Sequence, residues 1–231
     1  MSGRTTTGGI VRYYAYVSEA KLDMLFGQIP PKLLSVLRAE VKVDLKVVGL
    51  TVQKDRTEAD MYGRLAIVET YLDRNHDISW MSEPSAWFRG ECELRTSAYG
   101  ASPDGPVFMM GQEGDTVVAL IGSARHLHGQ RVSPESSVVG HSMLPALFRL
   151  VQQAVDDRLL TAPGGIPRRE SPSETEQMLR QVVQLGRGLR GPGEPSEFLA
   201  RRLLSGVVTD AQGRQLNVVV GTPLFVALAG E

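Results

Sequence analysis

The stretch AWFRGECELRTSAYG, residues 86–100, constrains the chain most. Phe88, Gly90, Cys92 and Leu94 alternate with Trp87, Arg89, Glu91, Glu93 and Arg95. Successive side chains of a strand point to opposite faces, so this period of two predicts a strand with one face on a core and one face wet. The turn SPDGP follows, and then VFMMG and TVVALIGS read as two more strands joined by the loop QEGD. Three consecutive antiparallel strands are the simplest arrangement.

The flanks read as helix and strand mixed. Ile10–Val17 is rich in β-branched and aromatic residues and predicts a first strand. Ser18 stands as an N-cap before Leu22, Leu25, Phe26 and Ile29, the apolar stripe of a helix. Pro30-Pro31 breaks it and KLLSVLRAE resumes helically. Val41, Val43, Leu45 and Val47 then alternate with Lys42, Asp44 and Lys46 as a half-buried strand, with a bulge near Gly49. A helix from Thr57 carries Met61, Leu65, Val68 and Leu72 on one face. Beyond the middle strands, Leu144, Leu147, Phe148, Val151 and Val155 predict a helix from about Pro145. A Gly/Pro-rich linker, TAPGGIPRRESP, follows. Ser171-Pro172-Ser173-Glu174 then signals another helix start, and SEFLARRLLSG a short further helix. In QLNVVVGTPLFVALAG the run Val218–Val220 suits a strand buried on both faces, stopped at Gly221-Thr222-Pro223. Leu224, Phe225, Val226 and Leu228 are too apolar for a free tail and should pack on the core or on a partner.

These elements predict a mixed α/β (α+β) fold. An N-terminal βαβ(α) unit continues into antiparallel strands, and C-terminal helices pack on the sheet. Residues 10–160 would form the core domain, and 161–231 a helical extension ending in a strand that returns to it. At 231 residues with 42% hydrophobic and 22% charged side chains, the chain can bury a sizeable core. Its net charge of -1, with no long basic run, argues against a nucleic-acid role. The single cysteine, Cys92, cannot form an internal disulfide and fits a reducing compartment. The opening MSGRTTTGGI does not resemble a signal peptide, and no run approaches the ~20 apolar residues of a membrane span. A cytoplasmic protein without membrane contact is expected.

Five places invite chemistry. VVGHSMLP, Val138–Pro145, looks like the strand-to-helix elbow that raises a nucleophilic serine in α/β-hydrolases. Leu144 stands where that motif needs glycine, however, and no histidine follows Ser142 to act as its base. The expected role is a loop entering a helix. In RHLHG, extended chain would point His126 and His128 the same way, so with Arg125 they suit a phosphate or metal, and His141 would converge with them in space. No carboxylate or cysteine partner stands at ligand spacing, so a polar loop closing a strand competes and no metal site is expected. Arg89, Glu91, Glu93 and Arg95 on the middle strand could line a cleft, with Glu91 or Glu93 as general acid or base, against the plainer role of a solvated face. Trp80 and Trp87, flanking MSEPSA, could stack on a planar ligand, against core packing. Lys21 and Asp23 sit just past the first strand's carboxyl end, where α/β sheets gather ligands, and Asp23 also suits a helix N-terminus for its charge alone. Phosphate-loop, HExxH and CxxC signatures are missing, and no cofactor is assigned.

Three segments together, RYYAYVSEAKLDMLFGQIP, WFRGECEL and VVVGTPLFVALAG, resemble an actinobacterial family of cytoplasmic proteins of unknown function. The resemblance spans most of the chain and carries no catalytic residue. It implies an accessory or sensory module in bacterial signalling or defence. Two functions are therefore expected to compete. One is a non-catalytic ligand-sensing or protein-interaction module, with a small molecule or a protein as partner. The other is a hydrolase or transferase acting on a small or phosphorylated molecule through Arg125, His126, His128 and Glu91. Convergence of those side chains on one pocket separates them.

Overall fold

The computed structural model describes residues 12–41, 58–99, 105–128 and 174–229. In chain order its elements are β1 (Tyr13–Val17), α1 (Glu19–Gln28), α2 (Pro31–Val41), α3 (Glu58–Asn75) and β2 (Ile78–Trp80). They continue with β3 (Trp87–Ala98), β4 (Pro106–Glu113), β5 (Thr116–Ser123), α4 (Glu174–Arg187), β6 (Glu194–Thr209) and β7 (Gln215–Leu228). The fold is mixed α+β, with four helices and seven strands among the described residues. None of those helices is long and apolar enough to cross a membrane.

β3, β4 and β5 run antiparallel in sequence order, as the alternation predicts. The sheet then departs from a simple layer. β5 pairs parallel with β7, β7 antiparallel with β6, and β6 antiparallel with β3, so five strands close into a barrel. β1 lies antiparallel beside the second half of β7, and β2 parallel to the start of β3. The described partner of β1 is β7, and the described residues do not confirm the expected N-terminal βαβ unit. The strand expected to follow Val41 lies outside the described residues, as do the helix from Pro145 and the boundary near residue 160.

Alternation fills the barrel. Phe88, Cys92, Leu94, Met109, Leu120, Phe198, Val219 and Val226 form one interior cluster, into which β1 sends Tyr16. Space there is so short that strand positions such as Gly122 and Gly90 must lack a side chain. A Cβ on Gly122 would lie 2.3 Å from the Tyr16 hydroxyl, and one on Gly90 would lie 2.4 Å from the Phe198 ring. Burial pushes the Tyr16 hydroxyl up to about 12, opposed by its hydrogen bonds to the Ser123 backbone and the Ser18 side chain.

Helices cover the outside in two groups. The stripes Leu22/Leu25/Ile29 and Met61/Leu65/Val68/Leu72 are buried as their spacing predicts, packing with Leu37 of α2 on Trp87, Leu199, Leu224 and Phe225. α4 packs Met178, Leu179, Val182 and Val183 on Phe108, Val117, Ile121, Val218 and Val220. Because Val219 points inward between Val218 and Val220, the run is buried on both faces, as expected.

Two expectations fail. SEFLARRLLSG is not helical: it belongs to β6, 16 residues long, held by β3 on one side and β7 on the other. Its Leu, Ala and Arg favour helices, but two ladders of backbone hydrogen bonds outweigh a weak propensity. Nor does Gly221-Thr222-Pro223 stop the last strand, for β7 runs on to Leu228. Proline fits because β5 pairs only as far as Gly221 and β1 only from Phe225, leaving no ladder partner on that side of Pro223. Leu224, Phe225 and Val226 are buried as expected, whereas Leu228 is exposed.

Candidate functional site

β3 turns Arg89 and Glu91 outward because Phe88, Gly90 and Cys92 turn inward. The β3–β6 register sets Glu197 directly opposite Glu91, and the β2–β3 register sets Trp80 beside Arg89. α3 passes over this face and lowers Glu69 and Asp73, one helical turn apart, towards Arg89. Arg12 reaches in from just ahead of β1. Arg12, Glu69, Trp80, Arg89, Glu91 and Glu197 line a cleft of about 220 Å³ with Phe198 and Phe225. Catalogued ligand pockets are roughly 300–1,000 Å³, so there is room for one small group.

Electrostatics hold the cleft rigid. Arg12 Nη1 donates to both oxygens of Glu69, at 3.1 and 2.9 Å, and Arg12 Nε lies 2.6 Å from Glu197. Its guanidinium also stands 5.5 Å above the centre of the Phe225 ring. Burial opposes the Arg12 charge, but Glu69, the Tyr14 hydroxyl and Glu197 outweigh it, so its pKa lies above the ordinary arginine value. Arg89 Nη2 donates to Glu69 at 3.0 Å and lies 3.0 Å from Asp73. Both arginines are thus committed to carboxylates. Among the described residues the Glu91 side chain has no hydrogen bond or ion pair.

The two tryptophans part company. Trp80 is 49% exposed and lines the cleft, whereas Trp87 is 8% exposed and packs beneath α3. Lys21 and Asp23 do not line the cleft. Lys21 Nζ donates to the Pro223 carbonyl at 2.9 Å, and burial pulls its ammonium down to about 8. Asp23 pairs with Arg64 of α3.

Arg125 and His126 fall in a 3-10 turn, Ala124–His126, so the extended spacing that would align His126 with His128 does not occur. His126 meets the Tyr16 ring edge-on at 5.8 Å, and His128 stacks on Tyr62 at 6.1 Å. The His128 amide donates to Ala15 at 3.0 Å, which ties this turn to β1. His141 and Ser142 lie outside the described residues. Among the described residues no three acidic, histidine or cysteine side chains group to hold a metal.

Arg12, Glu69, Asp73 and Glu197 escaped the sequence reading. The one signal for them is the carboxylate pair Glu69 and Asp73, one helical turn apart at the edge of the buried stripe Met61/Leu65/Val68/Leu72 of α3. A column of rings is likewise invisible in the sequence: His128 stacks on Tyr62, Tyr62 on Tyr14 at 5.1 Å, and Tyr14 meets Phe225 edge-on at 5.6 Å. It joins the histidine turn to the floor of the cleft. A second hollow of about 180 Å³, between the Met81–Pro84 turn and β6 and β7, is lined by no ionisable side chain.

The Family of unknown function (DUF7019) matches residues 12–230, the whole barrel with its helices. The chain belongs to that family. No curated protein and no solved structure matches it. Family membership brings no activity with it, so the side chains in the cleft must carry the functional reading.

Proposed function

We propose that the chain is a non-catalytic ligand-sensing or protein-interaction module, with the Trp80–Arg89–Glu91 cleft as its recognition surface. Trp80 carries this reading. A large indole left 49% exposed beside a preformed charged cleft is placed to contact something other than the chain's own core. Arg12 and Arg89 are already neutralised by carboxylates, which suits holding a guest better than transforming one. The ring column from Phe225 to His128 supports a sensing role, since it links the cleft to a second polar turn through direct contacts. The actinobacterial origin and the signalling or defence setting rest on sequence resemblance alone and belong to the same proposal.

The hydrolase or transferase alternative needs Arg125, His126 and His128 around one pocket, with or without Glu91. Glu91 lines the cleft without the other three, while the two histidine rings pack on tyrosines. That separation favours the non-catalytic reading.

Protein purified from its own host tests the proposal by native mass spectrometry and thermal melting. We expect a bound small molecule or protein. Re-added at about a hundredfold over its Kd, it should raise Tm by roughly 5–10 °C. Trp80→Ala should abolish that rise and leave the unliganded Tm within about 1–2 °C of wild type, as for an exposed side chain. A full rise in the variant, or turnover lost on His126→Ala or His128→Ala, would contradict the proposal.

A further inference from the structure

We infer that the guest of this cleft is a cation, an alkylammonium or guanidinium group; the inference rests on the cleft being a recognition surface. The cleft already shows how such a group is held. The Arg12 guanidinium lies over the Phe225 ring and against Glu197. The other half of the cleft repeats those parts with the cation missing: an exposed ring, Trp80, and a carboxylate without a partner among the described residues, Glu91. Trp is also the strongest of the aromatic faces for a cation.

Charge points the same way. Glu69, Glu91 and Glu197 line the cleft against Arg12 and Arg89, and Asp73 adds a fourth carboxylate on Arg89. Glu91 and Glu197 stand directly opposite one another across β3 and β6. Arg12 already answers Glu197 there, and a second cation would answer Glu91 in the same way. An anion would meet this surplus, and it would find the arginines engaged: Arg89 Nε, which lacks a partner, is closed to solvent. The volume of about 220 Å³ suits one alkylammonium or guanidinium head rather than a nucleotide or a sugar chain.

The same head can arrive on a free amine or on a protein side chain. Both are tested by titrating the full chain and following the Trp80 indole N–H by two-dimensional NMR. The probes are agmatine, the capped peptide Gly-Gly-Arg-Gly-Gly, and succinate as the anionic control. We expect saturable shifts with agmatine or the peptide and none with succinate. Tighter binding of the peptide would place the group on a protein partner, and tighter binding of agmatine would place it on a free amine. Glu91→Gln should weaken binding about two- to fivefold, the range for exposed ion pairs and cation–π contacts. Salt of about 0.5 M should weaken it further. Unchanged affinity in Glu91→Gln would overturn the inference. So would an indole that answers succinate, or the host-derived ligand, but neither cation, and in those cases the recognition surface itself would stand. An indole that answers nothing, host-derived ligand included, would overturn both.

Discussion

Beneath α4, β4, β5 and β7 present Phe108, Val117, Ala119, Ile121, Val218 and Val220, all apolar and all buried. Beneath α3, the outward register changes character along a single strand. Trp87 is buried there, but two and four residues further on Arg89 and Glu91 are charged, and the helix answers with Glu69 and Asp73. One helix seals the barrel and the other leaves a cleft. Burying a side chain such as Leu179 or Val182 contributes about 1.5–3 kcal/mol, whereas an exposed ion pair contributes about 0–1 kcal/mol. Apolar burial under α4 therefore contributes more than the ion pairs under the end of α3, which leaves that end free to serve recognition.

Substitutions on the two helices should break this comparison in opposite ways. Val182 is fully buried, so Val182→Asp places an unpaired carboxylate among apolar groups. It should cost upwards of about 4 kcal/mol and leave little folded protein in urea titrations. Glu69→Ala takes one partner from each of Arg12 and Arg89 but leaves Glu197 and Asp73 in place. It should cost about 1–2 kcal/mol, lowering Tm by about 2–8 °C with a cooperative transition kept. Equal losses for the two substitutions would remove the distinction between the regions.

How far the sequence foretold this contrast follows from its physics. Strict alternation over residues 87–95 placed Phe88, Cys92 and Leu94 inside and Arg89 and Glu91 outside, because strand geometry alone decides it. The stripes of α1 and α3 were legible for the same reason. β6 was not, since Phe198, Leu199, Leu203 and Leu204 in an Arg- and Ala-containing stretch read as helix until β3 and β7 are known to flank it. Closure of the barrel was hidden because it depends on the β3–β6 and β5–β7 pairings, which join strands roughly a hundred residues apart along the chain. The cleft was half legible. Arg89 and Glu91 stood out on β3, but Trp87, which the alternation puts on the wet face beside them, is buried while Trp80 is exposed, because burial there depends on how far α3 extends over the sheet.

A smaller effect sharpens the seam between the regions. β7 passes from the α4 side to the α1–α3 side at Pro223, whose carbonyl accepts the Lys21 ammonium. Burial lowers the folded pKa of Lys21 to about 8 from an ordinary 10.5. Below pH 8 the group is charged whether folded or not, and the folded chain carries the whole cost of desolvating it. As pH rises from about 8 to 10.5 the folded chain releases the proton first, so the cost is relieved and this group's contribution to stability rises. The rise should be on the order of 1 kcal/mol, Lys21 being only partly buried. Urea unfolding at several pH values across that window should show it in wild type, and Lys21→Met should lack it. Parallel curves for the two proteins would mean that Lys21 is fully solvated.

The central claim is that recognition happens at the cleft and not at the histidine turn. The chain's two tryptophans, one exposed and one buried, report on it directly. The decisive measurement is a two-dimensional NMR titration with the host-derived ligand, following both indole N–H signals and the ring signals of His126 and His128. The Trp80 signal should move first and furthest, Trp87 should stay in place, and any change at His128 should be smaller and follow the same binding curve. Movement of the His126 and His128 signals with Trp80 unmoved would place recognition at the Ala124–His128 turn and contradict the account.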